Sequence, residues 1–359
     1  MSLYKSYIKA VSILSIITGI LVITGWFTNN ENLKAVITGL PTMKFNTAIC
    51  FILIATALFL LIKKTKKHQF FIISIATIVI LIAAITFTQT VFNYNTGLDE
   101  LLVKDVTAKA AGEAFPGRMA ATTTFCFLLC AFAFIVIASG KKRLQLLAQY
   151  ALHAITLIAF IAILGYLFNV PEFHRLSFLA SMALNTSVLF FLISISASLI
   201  NFSLGVTGTF TGKSLGSIMA RKLFPLTALI IIVLGYLRLQ LHWHNLVTQD
   251  FGIALFATSF LLVSLIVISL TAKYLNTVEE KRSRAEKELK ILAKTESEQK
   301  LQLALNSLGD NVWEHDFITQ KTIFTNTNQN LAAFRNDGVQ NIEQLWWNST
   351  IKEYRHVLV

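Results

Sequence analysis

Met43, Met119 and Met182 each open the same short phrase: MKFNTAICF, MAATTTFCF and MALNTSVLF. The shared form is Met, two residues, Asn or Thr, Thr, a small residue, two residues, Phe. Each phrase stands at the start of a long apolar run. Asn46, Thr47, Thr122, Thr123, Asn185 and Thr186 therefore enter hydrophobic segments. Amides and hydroxyls donate and accept hydrogen bonds but carry no charge, so the chemistry they offer is polar recognition. Their spacing sets Met182, Asn185, Thr186, Leu189 and Phe190 on one stripe of a helix. Lipid cannot satisfy such groups, so the stripe must face the interior of a helix bundle. Two readings stand side by side. The pairs hydrogen-bond helix to helix through close packing, or they ring a polar ligand pocket at one mouth of the bundle.

Other residues are secondary candidates. His153 lies inside an apolar run, and an intramembrane His marks a functional site or a bond to a neighbouring helix. Arg238 sits near the end of another run and is placed to snorkel toward water or to hold an anion. Asp99 and Glu100 belong to GLDELLVKDV (97–106), whose Leu98, Leu101, Leu102 and Val106 share a face. That pattern predicts a short amphipathic helix across the bundle mouth. The two His of HWH (242–244) do not share a helical face, so no metal site is assigned. Cys50, Cys126 and Cys130 all lie in apolar runs, which suits packing and excludes a disulfide framework. GTFTGKS (208–214) has three residues between its glycines where a phosphate loop needs four, and it lies between membrane spans. It is expected to be a flexible Gly/Thr loop. No cofactor is evident.

The elements that must position these residues follow from composition. The chain has 359 residues, 55% hydrophobic and 14% charged, with mean hydropathy +0.63. Soluble domains carry about 25% charged residues. Eight runs approach the roughly 20 residues that cross a bilayer, at 7–26, 45–62, 70–92, 121–138, 146–168, 183–202, 223–241 and 251–272. The first is expected to be a retained span, because no small-residue cleavage site follows it. The net charge of +12 is spread over short loops, without the interleaved aromatics of a nucleic-acid face. Residues 1–6, 63–69, 140–145 and 206–222 hold 11 Lys/Arg in 36 residues; the alternate loops hold 7 in 73. The positive-inside rule makes the first set cytoplasmic, with both termini inside and the three phrases at the outer mouth. The expected fold is an all-α polytopic bundle of about eight transmembrane helices, three repeated pairs plus a fourth (1–272).

After Ala272 the chain becomes charged. Leu275, Val278, Arg282, Ala285, Leu289, Leu292, Glu296, Gln299 and Leu303 follow a heptad register with polar breaks. This predicts a weak coiled coil over 273–303, hence a homodimer whose helices can shift. Residues 304–359 are expected to open a soluble α+β domain, with a hairpin through NVWEHDF and TIFTN and helices at LAAF and IEQLWW. Their number is small for a stable core, and the domain is expected to be incomplete.

Two resemblances can be attached to these residues. LQLALNSLGDNVWEHDFITQKTIFTNTNQNLAAF, with Gly309, Asp310, Trp313 and Asp316, resembles the opening of a PAS sensor domain. The repeated Met-x-x-Asn-Thr form, GLDELL, LGYLFNVPEF, MARKLFP and the charged helix resemble the multispan region ahead of PAS domains in bacterial sensor histidine kinases and diguanylate cyclases. The resemblance implies an input module in the bacterial plasma membrane. It would signal through the dimeric helix to a PAS domain and an output, a histidine kinase ahead of a cyclase, with a response regulator as the kinase's partner. No phosphoacceptor motif, ATP-binding box or Gly-Gly-Asp-Glu-Phe loop is present, so no enzyme is visible. A transporter or channel is the competing class, since internal repeats are common there. Against it, the repeats run in one direction and no span carries a buried carboxylate.

Overall fold

The computed structural model describes residues 2–35, 37, 39–63, 65–168, 182–308, 313–316 and 321–324. The apolar runs form helices because a backbone in hydrocarbon must satisfy its own polar groups. In chain order they are α1 (Ser2–Phe27), α2 (Glu31–Lys34), α3 (Phe45–Leu61), α4 (Lys66–Val91), α5 (Val106–Ala110) and α6 (Ala121–Ser139). There follow α7 (Lys142–Leu167), α8 (Leu184–Ser198), α9 (Gly205–Thr211), α10 (Leu215–Trp243) and α11 (Gln249–Leu308). The protein is a multi-pass, all-helical membrane protein by helix length and composition. Seven described helices are long and apolar enough to cross a bilayer. The eighth expected span, α3, has 17 residues. At 1.5 Å per residue it is about 25 Å long, the short limit for a crossing.

The three repeats pack as three helix pairs, α1 with α3, α4 with α6, and α7 with α8. The pairs close into a ring, because α3 meets α4, α6 meets α7, and α8 returns to α1. The phrase-bearing helices α3, α6 and α8 also touch one another and form the centre. Their final motif residues explain why. Phe51, Phe127 and Phe190 are fully buried and meet pairwise, with ring centroids 4.9, 4.7 and 4.7 Å apart. Aromatic rings at these separations and tilts attract beyond their buried area. Met43, Met119 and Met182, which open the phrases, are each only 1% exposed. Cys50, Cys126 and Cys130 pack in the same core.

The ring has two ends. At one, Gly140 ends α6 with φ +67, and its N–H bonds the Ile137 carbonyl. A left-handed cap costs glycine least, and it lets the chain turn into α7 within two residues. The segment 208–214 is not the flexible loop expected from its glycines. Its first four residues close α9, and α10 begins just after it at Leu215, where the Ser214 side chain accepts from Ser217 N. Arg221 Nη1 donates to the Phe210 and Gly212 carbonyls, both at 3.0 Å, and ties the two helices together. α10 and the apolar part of α11 leave most of their surface uncovered by protein.

The chain divides into two compact units, Met1–Leu275 and Asn276–Val359. In the second, β1 (Trp313–Asp316) pairs antiparallel with β2 (Lys321–Phe324), Trp313 opposite Phe324. One hairpin is common to many folds and identifies no PAS domain. Gly309, Asp310 and the helices expected at LAAF and IEQLWW lie outside the described residues.

Candidate functional site at the motif end of the bundle

The three phrases begin α3, α6 and α8 at one end of the ring. Lys44, Ala120 and Ala183 precede these helices and give no side-chain cap. A helix start leaves backbone N–H groups without partners, and the polar pair occupies that first turn. Asn185 Oδ1 accepts from Thr186 N at 3.0 Å. Its Nδ2 donates to the Lys34 carbonyl at 3.2 Å, 151 residues away in sequence. Asn46 Nδ2 reaches the Leu98 and Asp99 carbonyls at 3.2 and 3.3 Å. Each Asn thus holds the loop of a neighbouring repeat: the first repeat grips the second's loop, and the third grips the first's. Thr122 holds the matching position in the second repeat. The third repeat's loop, 169–181, with Pro171, lies outside the described residues. Thr47, Thr123 and Thr186 are buried one position further on.

Ion pairs and hydrogen bonds tie the gripped loops. Lys34 is 1% exposed, and its ammonium donates to Asn29 Oδ1 at 3.0 Å and Glu31 Oε1 at 3.2 Å over the Trp26 ring. Trp26 Nε1 donates in turn to the Met43 carbonyl at 2.9 Å. In the second loop, Arg118 Nε donates to Asp99 Oδ2 at 3.0 Å, with both side chains under a tenth exposed. The same guanidinium donates to the Gln89 and Tyr94 carbonyls and stacks 3.8 Å from the Phe115 ring centroid. The Gln89 amide lies between Thr96 and Asp99. The orientation satisfying both has its nitrogen donating to Asp99 Oδ2 at 3.0 Å. Gly117, at φ +74, lies so close that a Cβ would meet the Asp99 carbonyl oxygen at 2.8 Å. A buried charge tolerates such a place only when its partners are complete, and here they are.

Asp105 completes this loop. Its carboxylate accepts from Lys44 Nζ at 2.8 Å, from Ala108 N at 3.0 Å and from the Thr107 hydroxyl at 3.0 Å. Burial alone would raise the carboxyl's pKa. The Lys44 ammonium, the Ala108 amide and the Thr107 hydroxyl outweigh it and hold the group below its ordinary value. Glu100 Oε1 accepts from Asp105 N at 2.8 Å. The Asp105 N bond to Glu100 and the Asp105 cap on Ala108 N break the amphipathic helix expected over 97–106. The segment is instead a short turn at Leu98–Glu100, followed by α5 capped by Asp105. Leu101, Leu102 and Val106 are left exposed on the rim.

His153 and Arg238 are not part of this constellation. The Arg238 stem packs against Gly252, where α11 begins. His153 Nε2 meets the Thr207 hydroxyl of α9 at 3.1 Å. That hydroxyl donates to Gln149 Oε1 at 3.1 Å, while Gln149 Nε2 donates to the Ser198 and Asn201 carbonyls. Asn201 Nδ2 donates to Gln145 Oε1 at 2.5 Å, and Gln145 Nε2 to the Val136 carbonyl at 3.0 Å. Of this network at the opposite end of the ring, sequence reasoning singled out His153 but not Gln145, Gln149, Asn201 or Thr207. The signal was present: 145, 149 and 153 are spaced by four and share one face of α7. The burial of Lys34 and Arg118 left no comparable signal, since loop cations are ordinarily solvated.

The motif end can therefore do one kind of chemistry. It offers the Asn46 and Asn185 amides, already bonded to loop carbonyls, and a polar ligand would reach them only by displacing those loops. Comparison of the chain with known protein families, with curated proteins and with solved structures found no match.

Proposed function

We propose that this chain is the membrane input module of a bacterial signal-transduction protein. In this reading the motif end faces outward, and Asn46, Thr47, Thr122, Thr123, Asn185 and Thr186 form the surface on which a polar stimulus acts. Asp99 and Glu100 hold the rim, while His153 and Arg238, the secondary candidates, stand apart from this surface. The signal leaves through a homodimeric helix at 273–303. The output on the resemblance is a histidine kinase. One observation carries the reading: α11 runs from Gln249 to Leu308, apolar at first and charged with a heptad pattern after Ala272. Its salt bridges, Arg284–Glu280, Arg282–Glu286, Lys294–Glu298 and Lys300–Glu296, are all exposed pairs one turn apart within the helix. They support a free-standing helix and leave Leu289 and Leu292 exposed on the seam. A transporter has little use for such a helix.

The test is cysteine crosslinking of the full chain in native membranes. Leu289→Cys and Leu292→Cys should crosslink between copies, and Lys287→Cys, off the seam, should not. Equal crosslinking at all three positions, or solute flux by the purified chain in liposomes, would sink the proposal.

A further inference from the structure

The end of the ring opposite the motifs is built on a different plan. A cavity of about 570 Å³ opens there between the ends of α3 and α6, the turn 199–204 that follows α8, and the starts of α4 and α7. Apolar residues of those helix ends wall most of it. Its polar lining includes Lys66, Lys142, His68, Gln69, Asn201 and Ser203. Among the lining residues there is no carboxylate. The sequence makes this more general, because residues 62–69, 139–145 and 199–222 contain no Asp or Glu at all. The described acidic residues before Leu275 (Glu31, Asp99, Glu100, Asp105, Glu113 and Asp250) belong to segments at or next to the other end.

The charges at this cavity are unbalanced. Among the described residues, neither Lys66 nor Lys142 has an ion-pair or hydrogen-bond partner. Both also stand in the first turn of a helix that has no acidic residue there. A cation at a helix start opposes the helix dipole. The dipoles do not rescue the balance. Three helix ends contribute about −0.5 each and two helix starts about +0.5 each, a sum near −0.5 against two full positive charges. The potential in the cavity is therefore positive. Hydrogen-bonding groups stand beside the charge: the His68 ring, held by Thr65, the Gln69 amide and the Ser203 hydroxyl.

We propose that this cavity binds a phosphate ester, with the phosphate between Lys66 and Lys142 and the ester's organic part against the apolar wall. Two lysines without carboxylate partners suit an anion of charge −1 to −2, and Lys is a common phosphate ligand acting as a point charge. The volume is that of an ordinary ligand site and exceeds what a bare ion needs. Two sources share this chemistry. One is the headgroup of an anionic lipid, since the cavity lies level with the helix ends, where headgroups gather. The other is a soluble phosphate monoester. The proposal is independent of the signalling role.

The experiment uses the full chain in nanodiscs. In mixed phosphatidylcholine and phosphatidylglycerol, native mass spectrometry counts the lipids retained after gentle release. In phosphatidylcholine alone, calorimetry measures binding of sn-glycerol 3-phosphate and of inorganic phosphate. The wild type should retain phosphatidylglycerol over phosphatidylcholine, or bind glycerol 3-phosphate more tightly than inorganic phosphate. The first result names the lipid and the second the soluble ester. K66Q/K142Q should weaken whichever is seen by at least about tenfold, the scale of one lost charged contact. K66R/K142R should keep it. K5Q/K9Q removes two exposed cations that do not line the cavity and should change binding by less than about twofold. If the double Gln variant unfolds, each single Gln variant carries the same comparison. Equal losses in K66Q/K142Q and K5Q/K9Q would overturn the site in favour of diffuse surface charge. So would the absence of binding by any of the probes in wild type.

Discussion

The two ends of the six-helix ring solve opposite problems with the same residue types. At the motif end, Lys34, Lys44 and Arg118 are cations in or near the protein interior, and each faces a carboxylate within 3.4 Å. Asn46 and Asn185 spend their amides on loop carbonyls. At the basic end, Lys66 and Lys142 face one cavity with no carboxylate, and the buried amides of Gln145 and Gln149 are spent within the helices around it. The first end is closed by complete pairing. The second is open, and its two exposed lysines have no carboxylate beside them in the lining. Stability therefore concentrates at the motif end and on the axis, while affinity for an anion concentrates at the basic end.

This contrast can be broken most forcefully on the axis. Phe127→Ala removes one of three mutually packed rings, and buried Phe→Ala changes cost about 3–5 kcal/mol. Unfolding by detergent titration should show that loss, and a loss below about 1 kcal/mol would mean that the ring is not centred on these residues. Arg118→Ala comes next. It leaves Asp99 charged and buried, which costs about 3 kcal/mol or more; Asp99→Asn in the same background should recover part of it. Asn185→Ala is milder, about 1 kcal/mol, because the Lys34 carbonyl still accepts from Met43 N at 3.0 Å. Weaker again is the pH response of the Asp105 cap. The carboxyl's pKa is lower in the folded protein than its ordinary value of about 3.9. Its contribution is thus fully present above about pH 4 and is lost as pH falls through the lower folded value. Hydrogen exchange at the Ala108 amide should follow that loss, and Lys44→Gln should move it to higher pH. An amide that opens at the same pH in both proteins would remove Lys44 from the account. The smallest effect belongs to the other end. K66Q/K142Q should leave stability unchanged or raise it by up to about 1 kcal/mol in neutral lipid, since it removes cations from helix starts.

Much of this architecture was legible in the sequence, for a physical reason. Apolar length and the phrase Met-x-x-Asn/Thr-Thr are local, so the spans, the repeat and the inward stripe could be read from single helices. The register even carried the axis, because Phe51, Phe127 and Phe190 close each phrase. Ring closure was not legible. That Asn185 reaches the Lys34 carbonyl depends on which pair neighbours which, a contact 151 residues apart that no periodicity encodes. The segment 97–106 misled because its apolar spacing fits a helix, whereas the bond from Asp105 N to the Glu100 carboxylate and the Asp105 cap end that helix. The cavity was hidden for the converse reason. Lys66 and Lys142 look like ordinary loop cations until folding places them together without a carboxylate.

The most direct measurement of the difference between the ends is thiol accessibility in nanodiscs, where both faces meet solvent. Thr123→Cys and Ser203→Cys are each exposed to a small charged maleimide, with the buried Cys50, Cys126 and Cys130 as the internal reference. The closed motif end predicts that Thr123→Cys reacts no faster than the native thiols, while Ser203→Cys, at the cavity, reacts rapidly. Rapid labelling of Thr123→Cys, at a rate comparable to Ser203→Cys, would contradict the account and make the motif end an open pocket.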